Sequence, residues 1–404
     1  MRICFVYQAD YPWDIRVEKI AATLTQAGNE VHLIAANRRG LSRSEVREEA
    51  HVRRLPSVNG KWGPLNSLVN LPVFMNPFWW REIDVCVRTV GAELILVRDL
   101  PLALTAASVG RRRGIPVVMD MAECYPEMMR AVVEYGDPSA IKRLTHSPQL
   151  AAWVERRAAR AVDHTFVMVE ESEARWKALG VAPDRVSIVS NTPPLHKFDM
   201  SRTASRPHRS AALHLLYAGW VTKARGLDTV VAGLGKFVRK HDTPVRLTVI
   251  GDGNGLSQIR KQVADHSLEN IVDLLGWQDH SRVVEYTAIA NVGLVPHHVT
   301  GHSNTTIPNK LFDYMAAGLP VLASDAKPIA RILEETGAGM VYEDWNADSF
   351  SESLLRFTDP GTRQAMAVRG QLAVVDRYNW DRDGAQLLKD LGAVATRAQS
   401  GGGR

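Results

Sequence analysis

The residues best suited to chemistry lie in the stretch 305–324, where a lysine and an aspartate occupy neighbouring turns of a candidate helix. Pro308 suits the start of that helix, because its missing N–H falls where helix donors are unpaired anyway. Lys310 in the first turn is unfavourable for the helix dipole unless an anion is bound there. Asp313 follows one turn after Asn309, where its carboxylate can accept two hydrogen bonds from a ribose diol, although by itself an exposed aspartate is the better interpretation. The pattern predicts a phosphate site, with a solvent-facing Lys310 as the alternative.

A glycine-rich loop is the second candidate anion site. Gly219 follows the apolar run 213–217, and Gly226 precedes an amphipathic segment of helical length. The backbone amides of such a loop can bind a diphosphate together with a cation. Arg225, directly before the second glycine, is placed to be that cation, and an exposed helix cap is the alternative.

Weaker signals follow other apolar runs. Gly251 lies in a Gly-Asp-Gly turn that permits a sharp bend and close approach of the backbone. His297 and His298 follow Pro296, and His302 lies nearby. This histidine spacing admits a metal pair, but no cluster of carboxylates accompanies it. We therefore expect no metal site.

Charged residues also follow two apolar runs in the first half of the chain. Asp14 and Arg16 lie in the loop after the first run, where they can contact an acceptor or a diphosphate. Asp120 and Glu123 follow the run 117–119 and are candidates for catalysis, since ligands bind outside the carboxyl ends of parallel strands. Capping of the following helix is an equally good interpretation of these carboxylates.

These residues must be positioned by short β-rich runs that alternate with amphipathic segments of helical length. Such alternation predicts βαβ units and parallel sheets, hence an α/β fold. Predicted strands of the first half are 3–7, 30–35, 94–97, 117–119, 165–169 and 186–189, and those of the second half are 213–217, 246–250, 271–275, 292–295 and 320–323.

The stretch 191–211 interrupts this alternation with prolines and basic residues and is predicted to be an interdomain linker. We therefore expect a first domain over 1–190 and a second over 212–380, with a ligand cleft between the carboxyl ends of their strands. Residues 381–404 are predicted to form a C-terminal helix and then a disordered tail from Ala393.

Composition narrows the functional classes. The 404 residues suit two domains, and 45% hydrophobic with 23% charged residues is typical of a globular protein. Three cysteines without metal-ligand spacing argue against a disulfide framework or a zinc site. A formal charge of +5 favours anionic partners, but the dispersed basic residues match no nucleic-acid-recognition module.

We expect the protein to be cytoplasmic, and contact with the inner face of a membrane is an open alternative. No stretch has the roughly 20 uncharged apolar residues of a membrane span. The aromatic segment 65–80 suits a membrane interface or an acceptor site, although packing on the core is the better interpretation. Arg111, Arg112 and Arg113 are interpreted as a solvated helix end.

The stretch Met315-Ala-Ala-Gly-Leu-Pro-Val321 resembles the family 4 retaining glycosyltransferases of GT-B fold, and the similarity runs from Arg16 to the end of the chain. The resemblance implies two Rossmann-like doubly wound domains facing across a cleft. It also implies a nucleotide-sugar donor, in first place a UDP-sugar, and a small-molecule, glycan or lipid-linked acceptor. No metal or other cofactor is expected.

The resemblance also implies site residues. Those expected to bind the donor are Gly219, Trp220, Gly251, Trp277, Gln278, Thr305, Thr306, Asn309, Leu311 and Asp313. Catalytic positions are Arg225, Lys310, Asp120 and Glu123, and Asp14 and Arg16 lie on the acceptor side. Within the donor set Asp313 is expected to hold the ribose, and Trp277 and Gln278 the base, with a structural tryptophan as the alternative.

The chain departs from the family pattern at three positions. Thr305 replaces an acidic residue, Trp220 replaces an arginine, and Ala122 replaces a histidine. Lys223 is a candidate substitute for the missing arginine. Two alternatives to a retaining transferase therefore stay open: a sugar-nucleotide epimerase and a non-catalytic sugar-nucleotide-binding subunit.

Overall fold

The computed structural model describes residues 1–57, 76–135, 147–198 and 212–401. The chain divides into two compact units. The first comprises Met1–Met129, Ser147–Val189 and Asp383–Arg404, and the second comprises Arg130–His146 and Ser190–Arg382.

The first unit is built on an eight-stranded sheet in the order β3-β4-β2-β1-β5-β6-β7-β8. Its strands are β1 (Arg2–Asp10), β2 (Glu30–Ala36), β3 (Ser44–Val46), β4 (His51–Arg54), β5 (Leu94–Arg98), β6 (Val117–Asp120), β7 (His164–Val167) and β8 (Val186–Ile188). All neighbours pair in parallel except β3 with β4. The central strands β5 and β6 are buried along their whole length, as expected when helices cover both faces of a parallel sheet.

The helices of the first unit have clear sequence boundaries. They are α1 (Ile15–Gln26), α2 (Pro77–Val90), α3 (Ala103–Arg113), α4 (Tyr125–Tyr135), which continues into the second unit, α5 (Pro148–Ala161) and α6 (Glu170–Ala178). Side chains of Asp14, Asn76 and Ser147 cap the starts of α1, α2 and α5. Gly91 and Gly114 end α2 and α3 in the left-handed conformation, which glycine adopts without strain.

The second unit is built on a six-stranded parallel sheet in the order β11-β10-β9-β12-β13-β14. Its strands are β9 (Leu213–Ala218), β10 (Val245–Ile250), β11 (Val272–Gly276), β12 (Val292–Val295), β13 (Val321–Ser324) and β14 (Gly339–Tyr342). Its helices are α7 (Leu227–Lys240), α8 (Leu256–Asp265), α9 (His280–Ile289), α10 (Asn309–Ala316), α11 (Lys327–Thr336), α12 (Ala347–Arg356) and α13 (Pro360–Asp376). Each unit has its own buried hydrophobic core, so the predicted α/β class with doubly wound sheets is confirmed.

The disorder predicted from Ala393 is wrong for residues 393–401, and residues 402–404 lie outside the described residues. Helix α14 (Trp380–Gly401) covers 393–401, and its residues from Asp383 belong to the first unit. Leu387, Leu391 and Val394 of α14 are buried, so tertiary packing holds a segment whose glycine-rich end suggested disorder.

Two other predicted segments are only partly described. In the aromatic segment, residues 65–75 lie outside the described residues, whereas Trp79 in α2 is fully buried in the first core. In the predicted linker, residues 199–211 lie outside them. None of the helices described is long and apolar enough to cross a bilayer.

Candidate functional site

Three neighbouring strands of the second sheet end at glycines with positive φ. These are Gly219 after β9 (142° in φ), Gly251 after β10 (137°) and Gly276 at the end of β11 (66°). The Gly251 N–H donates to the Gly276 carbonyl at 2.8 Å, and a Cβ on Gly251 would lie 1.9 Å from the Gly219 oxygen. Only glycine fits there, so bare backbone lines the carboxyl edge, where ligands bind in doubly wound folds.

The loop after β9 is fixed against the loop after β12. Gly226 starts α7, and a Cβ on it would lie 1.8 Å from the Pro296 carbonyl oxygen. The His298 N–H donates to the Ala224 carbonyl at 3.1 Å. The turn Lys223–Arg225 is therefore held by its neighbour, whereas Trp220 at the start of the loop is 71% exposed.

Arg225 contacts a neutral histidine, His297, in this arrangement. Its Nη1 lies 3.0 Å from Nε2 of the buried His297. Burial and the positive charges of Arg225 and Lys310 hold the pKa of His297 well below its usual value, so the ring is neutral at physiological pH. Arg225 has no carboxylate in ion-pair range among the described residues, so none of them balances its charge.

Lys310 brings a second cation to the same loop. Its Nζ lies 3.8 Å from the centroid of the Tyr217 ring, and 2.8 Å from the position a Cβ on Gly219 would take. Burial and the charge of Arg225 lower the pKa of Lys310 well below its usual value, against the opposing effect of Asp313. Two like charges held together in this way favour binding of an anion.

The helix that carries Lys310 begins one residue later than predicted. Pro308 is its N-cap in an extended conformation, and Asn309 is the first helical residue. Tyr314 of the same helix fixes its position: the Ala218 N–H donates to the Tyr314 hydroxyl oxygen at 2.9 Å. The Tyr314 ring also occupies the space that a Cβ on Gly293 would need.

The other residues predicted to bind the nucleotide-sugar donor differ in how exposed they are. Trp277 is 71% exposed beside Gly276, which excludes the alternative of a buried structural tryptophan. The Gln278 side chain donates to the Leu275 carbonyl at 3.0 Å. Asp313 is half-buried on α10. The exposed Trp277 indole is therefore open to a ligand, as Trp220 is on the neighbouring loop.

Residues around the start of α10 are engaged by the protein. The Thr305 hydroxyl donates to the Gly301 carbonyl at 2.8 Å, and Asn309 accepts a hydrogen bond from the Asn191 side chain. Thr306 is half-buried. Leu311 is fully buried and its N–H donates to the Pro308 carbonyl, so its expected contact with a donor is not supported by its placement.

Sequence reasoning missed an ion-pair cluster around His298. Nδ1 of this buried ring lies 2.7 Å from the Asp344 carboxylate, and Nε2 lies 3.0 Å from the Asp228 carboxylate. The ring also stacks on Trp345, with 3.6 Å between the ring centroids. Burial opposes protonation, but the two carboxylates raise the pKa of His298 to about 9. The Tyr135 ring stacks at 6.0 Å. A charged His298 thus joins the loops after β12 and β14 to the start of α7.

The carboxyl edge of the first sheet holds a different arrangement. Arg98 ends β5 directly opposite Asp120, which ends β6, and their side chains are 3.1 Å apart. The buried Arg16 donates to both Asp120 oxygens, at 2.6 Å and 3.0 Å, and to the Val189 carbonyl. Although burial opposes it, the two guanidiniums lower the pKa of Asp120. Asp120 and Arg16 are fully enclosed, which argues against their predicted contacts with a substrate.

The remaining predicted residues of this edge surround that cluster. Asp14 caps α1 and lies 3.8 Å from Arg98, and Glu123 is half-buried. The Ala122 N–H donates to Asp99 at 2.9 Å. Burial, together with the charges of Glu123 and Asp120, raises the pKa of Asp99 to about 6. Asp99 is thus a titratable group that the sequence reasoning did not select.

In the part of the chain that the structure describes, no group of three or more histidine, cysteine, aspartate or glutamate side chains is arranged to hold a metal ion. His298 has both ring nitrogens engaged by carboxylates. The expectation of metal-independent chemistry stays a prediction.

Two family models match the chain. One is described as a glycosyl transferase 4-like domain and matches residues 14–192, and the other as glycosyl transferases group 1 and matches residues 204–371. The chain is 25% identical over 175 residues to the amylovoran biosynthesis glycosyltransferase AmsK of Erwinia amylovora, covering 41% of this chain and 43% of AmsK. It is 25% identical over 224 residues to the phosphatidyl-myo-inositol mannosyltransferase of Mycolicibacterium smegmatis, covering 55% of each. The chain spans about half the length of the curated relatives it matches.

Solved structures agree over nearly the whole chain. A sucrose-phosphate synthase from Thermosynechococcus elongatus superposes with a TM-score of 0.74 at 17% identity, covering 97% of this chain and 99% of that one. Anabaena HepE in complex with UDP superposes with a TM-score of 0.71 at 13% identity, covering 97% and 100%. At such identities the likeness establishes the fold.

Proposed function

We propose, from the premise that this chain belongs to the group 1, family 4-like glycosyltransferases of GT-B fold, that it transfers a sugar from a nucleotide-sugar donor to an acceptor hydroxyl or amine. One observation carries the proposal. Lys310 lies against the bare backbone at Gly219, Arg225 lies close enough for its charge to lower the pKa of Lys310, and the described residues offer neither cation a carboxylate in ion-pair range. A diphosphate supplies the missing negative charge.

The donor is assigned to the second unit. Its diphosphate lies on the backbone between Gly219 and Gly251, against Arg225 and Lys310. Asp313 accepts hydrogen bonds from the ribose, and the exposed Trp277 stacks on or borders the base. The donor is a UDP-sugar in first place, a choice that the UDP complex of HepE supports by fold likeness.

The reaction proposed retains the anomeric configuration. The bond between the anomeric carbon and the donor's diphosphate oxygen breaks, and the acceptor oxygen or nitrogen forms its bond on the same face. A phosphate oxygen of the leaving diphosphate takes the acceptor proton. Arg225 and Lys310 stabilise the charge that develops on the diphosphate, which replaces a metal ion in that role.

A thermal-shift screen tests the donor assignment. Full-length protein is heated with UDP, GDP, ADP, CDP and the corresponding sugar nucleotides. Because a ligand at about 100 times its Kd stabilises the native state by about 2.7 kcal/mol, the matching nucleotide should raise the midpoint by a few degrees. No shift with any nucleotide would overturn the proposal.

Turnover distinguishes the transferase from its alternatives. The stabilising sugar nucleotide is incubated with and without a panel of glycan and lipid-linked acceptors. A transferase forms glycosylated acceptor. Epimerised sugar nucleotide in the absence of acceptor would establish the epimerase instead, and donor binding without any product would indicate the non-catalytic subunit that Thr305, Trp220 and Ala122 suggest.

A further inference from the structure

A cavity lies at one edge of the first sheet, between strands β2, β3 and β4 and helix α2. Its volume is about 180 Å³, which is room for several water molecules. The exposed residues Ser44, His51 and Thr89 line it, so the cavity is open to solvent. Cys86 of α2 also lines the cavity, although only 3% of this residue is exposed. A small solute can therefore reach the Cys86 thiol through the cavity.

A second cysteine lies beside Cys86 in the same hydrophobic core. Cys4 is in β1, against which α2 packs, and its thiol is within hydrogen-bonding range of the Cys86 thiol. Cys4 is also paired in register with His32 of β2, which lines the cavity. Because residues paired in register project from the same face of a sheet, Cys4 lies on the face that carries the cavity. Cys4 itself is fully buried, so a solute in the cavity meets Cys86 first.

The surroundings of the two thiols favour a thiolate on Cys86 and a proton on Cys4. The hydrogen bond from Cys4 and the charge of Arg53 lower the pKa of Cys86, against the opposing effects of burial and of Glu82. The same hydrogen bond, together with burial, raises the pKa of Cys4 well above its usual value. Since the thiolate is the nucleophilic form of cysteine, Cys86 is the reactive member of the pair.

We propose that Cys86 is a peroxide-reactive thiol and that Cys4 is its resolving partner, so that the first unit contains a reversible thiol–disulfide site. The Cys86 thiolate attacks one oxygen of hydrogen peroxide, the O–O bond breaks and hydroxide leaves, which converts Cys86 to a sulfenic acid. The Cys4 sulfur then attacks the Cys86 sulfur. The S–S bond forms, the S–O bond breaks, and the hydroxyl group leaves as water with the proton of Cys4.

The balance of this reaction is closed by the peroxide. Two thiols are oxidised to one disulfide, and one peroxide is reduced to water and hydroxide. A small dithiol returns the pair to its reduced state by thiol–disulfide exchange. The size of the cavity favours hydrogen peroxide, which is little larger than water, over a bulky oxidant such as glutathione disulfide. This redox chemistry goes beyond glycosyl transfer and requires no sugar nucleotide.

Peptide mapping of the full-length parent tests the site. Reduced protein is treated with hydrogen peroxide at pH 7, unreacted thiols are alkylated, and the peptides are analysed by mass spectrometry. We expect a disulfide between Cys4 and Cys86, a loss of two hydrogen atoms from the intact mass, and reversal by dithiothreitol. A persistent sulfenic acid on Cys86, or no oxidation of Cys86, would overturn the proposal.

Cys124 is an internal control, because it is also 3% exposed but does not line the cavity. An ordinary thiol is only a few per cent ionised at pH 7, so Cys86 should be oxidised at least about tenfold faster than Cys124. Oxidation of Cys124 at the same rate or faster would refute selection by the cavity.

Cysteine variants separate the two roles. In Cys4→Ala the sulfenic acid on Cys86 has no resolving thiol and should be trapped by dimedone, whereas the parent should give little adduct. In Cys86→Ala the buried Cys4 should stay reduced at the peroxide concentration that oxidises the parent. Thermal midpoints close to that of the parent would establish that both variants are folded. Oxidation of Cys4 in folded Cys86→Ala would reverse the assignment of nucleophile and resolving thiol and contradict it.

A pair of arginine variants tests the thiolate without changing the core. Arg53 lines the cavity and donates to Glu82 at 2.8 Å, while Arg43 donates to the same carboxylate at 2.9 Å and does not line the cavity. Arg53→Gln should slow the alkylation of Cys86 by iodoacetamide at pH 7 by about threefold to tenfold, because the pKa of Cys86 rises. The matched control Arg43→Gln should stay within about twofold of the parent. Equal rates in all three proteins would show that Cys86 is not held as a thiolate and would overturn its role as the nucleophile.

Discussion

At the carboxyl edge of the first sheet buried cations meet a carboxylate, whereas at the same edge of the second sheet two cations meet a neutral imidazole and an aromatic ring. Arg16 and Arg98 share Asp120. Arg225 contacts His297, and Lys310 lies over Tyr217. The folds of the two sheets are alike, so the difference lies in which side chains the strand ends carry.

The comparison separates two uses of buried charge. The charge of a buried arginine is paired within the fold when its carboxylate is present, and removing one partner leaves the other as an unpaired buried charge. A half-buried arginine or lysine without a carboxylate in ion-pair range, such as Arg225 or Lys310, destabilises the empty protein and gains its partner when an anion binds. The first edge should therefore respond to mutation in stability, and the second in donor affinity and turnover.

Asp120→Ala should give the largest effect, on stability. Arg16 and Arg98 would stay buried without their counter-charge, a loss of about 3–5 kcal/mol in the free energy of unfolding. Urea unfolding measures it. The control Asp184→Ala breaks the exposed pair with Arg397 and should change the free energy by about 1 kcal/mol at most.

The opposite pattern for Asp120 would break the comparison. If Asp120→Ala unfolded like the parent but lost turnover at saturating donor, the carboxylate would act on the substrate as the sequence first indicated. Asp120→Asn refines the result, because it keeps the shape and removes only the charge.

Arg225→Ala should lower kcat/KM by about 10² to 10³, as expected for loss of one cation at a developing charge. The thermal midpoint without ligand should stay the same or rise, because the Coulomb repulsion between Arg225 and Lys310 is relieved. Steady-state kinetics and thermal shift with nucleotide measure both. Lys261→Ala, which removes an exposed cation from α8 of the same unit, is the control and should retain activity within about threefold. Full turnover by Arg225→Ala would remove the diphosphate assignment.

Strand positions could be predicted from sequence because continuous apolar runs mark buried parallel strands. The predicted strand 292–295 is found as Val292–Val295. Strands β3, β4 and β14 were missed, since Ser44–Val46 is only three residues long, His51–Arg54 is half charged and Gly339–Tyr342 follows a glycine turn. The helical C-terminus was missed because its order depends on packing of Leu391 and Val394, which local composition does not report.

Pairing between distant residues limited the prediction of the site. Asp120 and Arg16 are 104 positions apart, and no local pattern indicates that strand register sets Arg98 opposite Asp120. Lys310 was predicted at an anion site and lies beside Gly219, yet its contact with Tyr217 depends on how α10 packs against β9. The sequence therefore indicates which side chains are chemically suited to a site. It does not indicate whether the charge of such a side chain is neutralised by a partner in the fold.

His298 gives a pH test of the second edge. The folded pKa of about 9 lies above the usual 6.5, so its contribution to stability is full below about pH 6.5 and is lost as pH rises through 9. The shift corresponds to about 3 kcal/mol. We expect the parent to lose this amount relative to His298→Gln between pH 6.5 and 10, measured by urea unfolding. Parallel pH profiles of the two proteins would show that Asp228 and Asp344 do not hold a charged ring.

The smallest expected effect concerns Trp220, which stands where the family carries an arginine. Lys310 reaches the same glycine from another helix, so an added cation is redundant and Trp220→Arg should change kcat/KM by about threefold at most. In a Lys310→Ala background the same substitution should recover at least about tenfold of the lost activity, while Trp220→Ala should recover none. Rescue would establish that one charge is supplied by two alternative elements, since Trp220 is exposed and its replacement disturbs no core. If rescue fails and the variant is folded, then only an ammonium placed over Tyr217 can stabilise the diphosphate. That result would sharpen the contrast with the first edge, where each charge has a fixed partner.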